Sequence, residues 1–202
     1  MHGVFGEDGS IQSILDKNNI IYNGSMSNSS KNCFDKSFTK KTVNDNNILT
    51  PDFTIVDKKN FSNHNYNFRK SVIKPNKQGS SVGFSIIDDK NKISHALDFA
   101  LEHDTHAIIE EYIEGREITV SILGNDALPI IEIKPNHGIY DYMAKYTKGA
   151  SNYICPAEIS ESKSDEIKDI ALKTHKLLNC KVYSRVDFRL DKNNECWLLE
   201  IN

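Results

Sequence analysis

The stretch Arg185-Val186-Asp187-Phe188-Arg189-Leu190, then Asp191-Lys192-Asn193-Asn194, then Glu195-Cys196-Trp197-Leu198-Leu199-Glu200-Ile201-Asn202 reads as two strands joined by a polar turn. Polar and apolar residues alternate in both runs, and the Asp/Asn cluster between them supplies turn formers. Arg185, Asp187 and Arg189 share one face of the first strand; Glu200 and Asn202 share one face of the second. A four-residue loop, Asp191 to Asn194 or one residue later, pairs odd with even positions and lays both sets on the same face. Two carboxylates, an amide oxygen and an arginine then converge. Close carboxylates repel unless a cation lies between them. Hard oxygens of this kind suit magnesium, which shares its remaining positions with water and substrate phosphates. The stretch equally fits a solvent-facing hairpin with an Arg–Asp pair, which contributes little, so the rest of the chain has to decide.

The 202 residues fit one large domain or two small ones, with the composition of a soluble globular protein. A net charge of −3 gives no sign of a nucleic-acid partner. Four cysteines, Cys33, Cys155, Cys180 and Cys196, are scattered without a Cys-x-x-Cys, which favours free thiols in a reducing compartment. No apolar run approaches the ~20 residues of a membrane span. The start lacks the basic and apolar regions of a signal peptide, so a cytoplasmic location is expected. Both ends read as cut: the chain opens in a polar glycine-rich loop and closes inside the proposed metal face.

In chain order, residues 2–9 read as a loop leading into a short helix, with Asp8 or Ser10 near its N-cap and Ile11, Ile14 and Leu15 as its apolar stripe. Ile20-Ile21-Tyr22 is expected as a brief strand and Asn23–Asn32 as irregular linker. Cys33–Val43 is read as a helix carrying Lys36, Lys40 and Lys41, Asp52–Val56 as an extended run, and Asn60–Asn67 as a polar loop. Phe68–Lys74 is a strand leading into Asn76-Lys77-Gln78-Gly79-Ser80-Ser81-Val82-Gly83-Phe84-Ser85. The amides of such a loop can approach an anion closely. Its spacing is not that of a Walker A loop, and an ordinary hairpin turn is the competing reading. Lys92–His103 is an amphipathic helix. His103 and His106 lie three apart at its end, where a solvated helix terminus competes with zinc. Ala107–Ile113 is a buried strand, Gly115-Arg116 turns the chain, and Glu117–Leu123 with Leu128–Lys134 forms a hairpin. His137–Asn152 reads as a functional lid with tyrosines and lysines. Ser164 is expected to cap a helix from Asp165 to about Leu178, which Asn179 ends. The pattern predicts α+β, with antiparallel sheet backed by helices.

Taken in order, His2-Gly3 with Gly6-Glu7-Asp8-Gly9, Gly24-Ser25, Asp35-Lys36, Lys74-Pro75 with Gly79–Gly83, Glu110–Tyr112 with Gly115-Arg116-Glu117, Tyr140-Asp141-Tyr142 with Ala144-Lys145-Tyr146, Cys155-Pro156-Ala157, and Arg185-Val186-Asp187 with Leu199–Asn202 resemble the D-alanine–D-alanine ligases of the ATP-grasp superfamily across nearly the whole chain. The resemblance implies an ATP-grasp fold of two subdomains, residues 33–113 and 114–202, after a remnant of an N-terminal α/β domain at 1–32. It implies ATP-dependent joining of two D-alanines for peptidoglycan through an acyl phosphate, and a homodimer. Magnesium or manganese would be held by Asp187, Glu200 and Asn202. Lys36 and Lys74 would neutralise phosphates under Gly79, Ser80, Ser81 and Val82. Glu110, Glu111, Tyr112 and Ile113 would line the adenine strand, and Glu117 would take the ribose hydroxyls. Lys145 and Tyr146 would sit on the lid, Arg185 would steady the oxyanion, Ser80 and Tyr146 would hold the substrate side, and His2 would lie near the first D-alanine.

Several features depart from the family pattern. The family's N-terminal glycine-rich turn with its glutamate, and the segment that follows its metal strand, lie outside this sequence. Gln78 replaces a frequent acid, Met143 a frequent glutamate and Val182 a usual glycine, and Asn28 and Asn32 stand where the family is small or apolar. Besides the ligase, two readings stay open: a part that at most binds Mg-ATP, and a related ligase with a different second substrate.

Overall fold

The computed structural model describes residues 3–59, 68–136 and 142–202, except the side chains of 142 and 143. The expected 60–67 loop, His2, and the 137–141 part of the lid lie outside them. Two all-antiparallel sheets carry the fold, so the α+β expectation holds.

The first sheet runs β1–β4–β2–β3, from β1 (Phe53–Asp57), β2 (Ser71–Pro75), β3 (Ser85–Ile87) and β4 (His106–Glu111). Val56, Ile73, Ala107 and Ile109 pack on Ala96, Leu97, Ala100 and Leu101 of α4 (Ile93–Leu101). Side chains alternate along a strand. The same register therefore puts Val72, Lys74, Ile108 and Glu110 on the face away from α4.

The second sheet runs β10–β9–β5–β7–β8, and β6 pairs with β5 off that path. Its strands are β5 (Gly115–Leu123), β6 (Asp126–Ala127), β7 (Ile131–Pro135), β8 (Ser151–Ile154), β9 (Tyr183–Asp191) and β10 (Cys196–Ile201). Ile118, Val120 and Ile122 of β5 and Val186, Phe188 and Leu190 of β9 share one core with Ile167 and Ala171 of α6 (Glu161–Leu177). Val43 and Ile48, in and just after α3 (Lys36–Asn44), join it. The opposite face of β5 and β9 presents Glu117, Thr119, Ser121, Arg185, Asp187 and Arg189.

Several local expectations are corrected. Residues 20–22 form no strand; Ile21 is 98 % exposed, with no ladder to join. The Ser/Asn-rich segment is helical as α2 (Ser27–Phe34), following α1 (Ser10–Lys17). Tertiary contact overrides weak propensity here: Ser29 Oγ donates to the Leu178 carbonyl at 2.7 Å. The helix expected over 33–43 is split at Asp35, whose side chain caps α3 by accepting from the Phe38 amide. Ser160, not Ser164, caps α6, so that helix begins four residues earlier than Asp165, at Glu161. The lid is partly regular, with α5 (Tyr142–Tyr146) and β8 in it. His103 packs edge-on to Phe99 and His106 opens β4; among the described residues no cluster of three His, Cys, Asp or Glu could hold a metal. Val182 sits at φ 65, a left-handed conformation costly to a β-branched residue and free to a glycine.

The terminal hairpin reaches its expected face by a different register. Asp191 and Glu195 close a three-residue loop in which Asn194 has φ 62. Trp197 therefore opposes Arg189 and Leu198 opposes Phe188, odd with odd and even with even. A β-bulge between Leu198 and Glu200 then shifts the ladder by one, and Glu200 lies opposite Asp187. A one-residue slip flips every later side chain to the other face. Without the bulge Glu200 would enter the core.

Candidate active site

The two sheets border a cleft of about 850 Å³, within the range of small-ligand sites. Lys36, Lys74, the 78–82 loop, Glu110–Ile113, Glu117, Lys145, Tyr146, Arg185, Glu200 and Asn202 all line it.

One wall is cationic. Asn76 joins α3 to the end of β2: its Nδ2 donates to Asp35 Oδ1 at 3.0 Å, and its Oδ1 accepts from the Ser37 amide at 2.9 Å. This fixes Lys36, whose Nζ donates to the Gln78 carbonyl, beside the glycine loop. That loop is the turn that joins β2 to β3, as the hairpin reading has it. Ser80, Ser81 and Gly83 all have positive φ, at 55, 57 and 70. Left-handed residues of this kind turn amides toward one side. Ser80 Oγ lies 2.9 Å from the Tyr146 hydroxyl, so loop and lid touch at the two residues expected on the substrate side. Burial lowers the Lys36 pKa.

The facing wall is acidic. Asp187 Oδ1 accepts from Thr119 Oγ1 at 2.6 Å, Arg185 binds both carboxylate oxygens, and Asn202 Nδ2 donates to Oδ2 at 3.2 Å. Burial acts to raise the Glu200 pKa, but Lys36, Lys145, Lys74 and Arg185 outweigh it and hold the carboxyl at about 2. Two carboxylates that are direct cross-strand neighbours, with an amide two residues beyond Glu200, are a hard-oxygen donor set that fits magnesium or manganese.

Between the walls, Glu117 pairs with Arg189 at 3.1 Å, and the Arg189 guanidinium lies 5.6 Å from the Tyr112 ring centre. Burial, reinforced by Asp187 and Glu200, nevertheless pushes the Glu117 carboxyl up to about 7 against Arg189 and Lys145. Glu110 is almost wholly buried and paired with Lys74 at 2.6 Å and Lys40 at 2.9 Å.

Arg189, Thr119 and Lys40 are site-building residues that sequence reasoning left without a role. Strand alternation carried the first two, since Arg189 follows Asp187 by two and Thr119 follows Glu117 by two. Lys40 follows Lys36 by one helical turn, at a position that only packing makes internal.

A cleft between two antiparallel sheets, with lysines and a glycine loop on one wall and acidic side chains on the other, is the arrangement of an ATP-grasp fold. Residues 43–202 match the family model described as D-ala D-ala ligase C-terminus. The D-alanine–D-alanine ligase of Methylacidiphilum infernorum is 42 % identical over all of this chain and 66 % of its own length. That of Aquifex aeolicus is 40 % identical over all of this chain and 69 % of its own. Among solved structures, the Bacillus anthracis D-alanine–D-alanine ligase complexed with ATP superposes with a TM-score of 0.83 at 31 % identity, covering all of this chain and 65 % of that one. The VanG D-Ala:D-Ser ligase of Enterococcus faecalis superposes at 0.85 and 32 % identity, covering all of this chain and 61 % of that one. The chain belongs to the D-alanine–D-alanine ligase family, and it spans about two thirds of the length of these relatives. Among the described residues no helix is long and apolar enough to cross a membrane.

Proposed function

We propose that this chain carries the nucleotide and metal half of a ligase that joins two D-alanines, at the expense of ATP, for peptidoglycan. The observation that carries the reading is that Glu200 and Asn202, backed by their neighbour Asp187, line one cleft with Lys36, Lys74 and the loop at 79–82.

A carboxylate is a poor electrophile. In this reading an oxygen of the first D-alanine attacks the γ-phosphorus, ADP leaves, and an acyl phosphate forms. The amine of the second D-alanine then attacks the acyl carbon, the tetrahedral oxyanion collapses, and phosphate departs. Such transfers depend mainly on positioning and charge stabilisation. Lys36 and Lys74 bind phosphate oxygens, and the loop amides cover them. Glu110–Ile113 hold the base and Glu117 the ribose. Asp187, Glu200 and Asn202 would hold the divalent cation, which would neutralise charge on the phosphates. Arg185 turns from Asp187 toward the oxyanion, and Ser80 with Tyr146 closes the substrate side under the lid of Lys145. His2 is assigned to the first D-alanine on resemblance alone.

Mg-ATP at about a hundredfold its Kd should raise the melting midpoint by roughly 5–10 °C. Asp187→Asn should abolish that rise. An unchanged shift in the variant would remove the metal reading, and no shift in the wild type would remove the nucleotide reading. Phosphate release that needs both D-alanine and magnesium separates a working ligase from a part that only binds nucleotide.

A further inference from the structure

Lys40 is wholly buried in the second turn of α3 and does not line the cleft. Its Nζ lies 2.9 Å from Glu110 Oε2, donates to Thr50 Oγ1 at 2.8 Å and reaches the Pro51 carbonyl at 3.4 Å. Thr50 Oγ1 in turn donates to the Leu198 carbonyl at 2.9 Å, which ties the group to β10. Glu110 Oε1 is 2.6 Å from Lys74, which does line the cleft. Two lysines therefore share one buried carboxylate, and only one of them can reach a ligand.

We propose that Lys40 is a positioning residue, a dedicated counter-charge that keeps Glu110 compensated when Lys74 turns from it to a nucleotide phosphate. Removing one partner of a buried pair strands the other charge. If Lys74 were the only cation on Glu110, every phosphate it took up would leave a carboxylate uncompensated in the interior, and nucleotide affinity would fall. With Lys40 anchored from behind by Thr50 and Pro51, Lys74 is available without that cost. Burial works to raise the Glu110 pKa, yet Lys40 first and Lys74 second hold it below the usual carboxylate value. Lys36 and Glu200 are the next charged groups facing this cluster.

The inference rests on the nucleotide reading, and calorimetric titration of ATP with magnesium separates the two. Lys40→Met, which keeps the apolar stem, should weaken ATP at least about tenfold in the folded protein. In Lys40→Met/Glu110→Gln the neutral amide no longer claims Lys74, and affinity should return to within about twofold of Glu110→Gln alone. A merely structural role would lower the unliganded melting midpoint and leave the affinity of folded protein unchanged. Lys40→Met that folds and binds ATP like wild type overturns the inference, as does a double variant no tighter than the single. If Lys40→Met does not fold, the double variant against Glu110→Gln decides: equal affinity supports the role, and a further tenfold loss overturns it. Wild type that binds no ATP overturns the nucleotide reading, and this inference with it.

Discussion

Glu117 shows how one residue holds two opposed tendencies. It pairs with Arg189, which favours its charge, yet burial beside Asp187 and Glu200 wins and lifts its carboxyl to about 7 from 4.5. A carboxyl with a raised folded pKa stabilises the fold fully below its unfolded value, and that contribution is lost as pH rises through the folded one. Stability should therefore decline between about pH 4.5 and 7 by an amount that Glu117→Gln removes. Melting curves across that range check it; parallel profiles for the two proteins would refute it. The acidic character of Glu117 and its strand face were legible in the sequence. Its titration was not, because the residues that shift it come from β9 and β10.

At the scale of elements, the β5–β9 pairing sets where the acids stand. Gly115 opens β5 opposite Asp191, and a Cβ there would lie 2.2 Å from the Leu190 carbonyl oxygen. Backbone cannot yield as a side-chain tip can, so Gly115→Ala should cost about 2–3 kcal/mol, read by urea denaturation. Gly124→Ala meets no atom within 4 Å and carries only its φ penalty, about 1 kcal/mol or less. Equal losses at the two sites would show that contact with β9 is not the constraint. The terminal hairpin holds the same lesson about register. Alternation placed Asp187, Glu200 and Asn202 on one face, but a tight turn at Asn194 and a bulge at Leu199 get them there. Two compensating irregularities leave the same alternation in the sequence as none.

For the whole molecule, the cleft belongs to neither sheet alone. The glycine loop hangs from β2–β3, whereas the acids sit on β9–β10. Mg-ATP should therefore slow amide exchange in residues 79–83 and 185–202 together, by about tenfold or more at saturating nucleotide. Protection of one segment without the other would mean that the ligand does not bridge the walls.

The sequence by itself determined the α+β class, most strands, the acidic face of the last hairpin and the ordered motifs that mark the family. These follow from short-range periodicity and turn chemistry, which a local stretch contains in full. Only the tertiary structure decided that residues 27–34 are helical and that Lys40 lies inside against Glu110. Each depends on partners far along the chain, since burial and charge pairing are set by what folds against a residue and not by its neighbours in sequence.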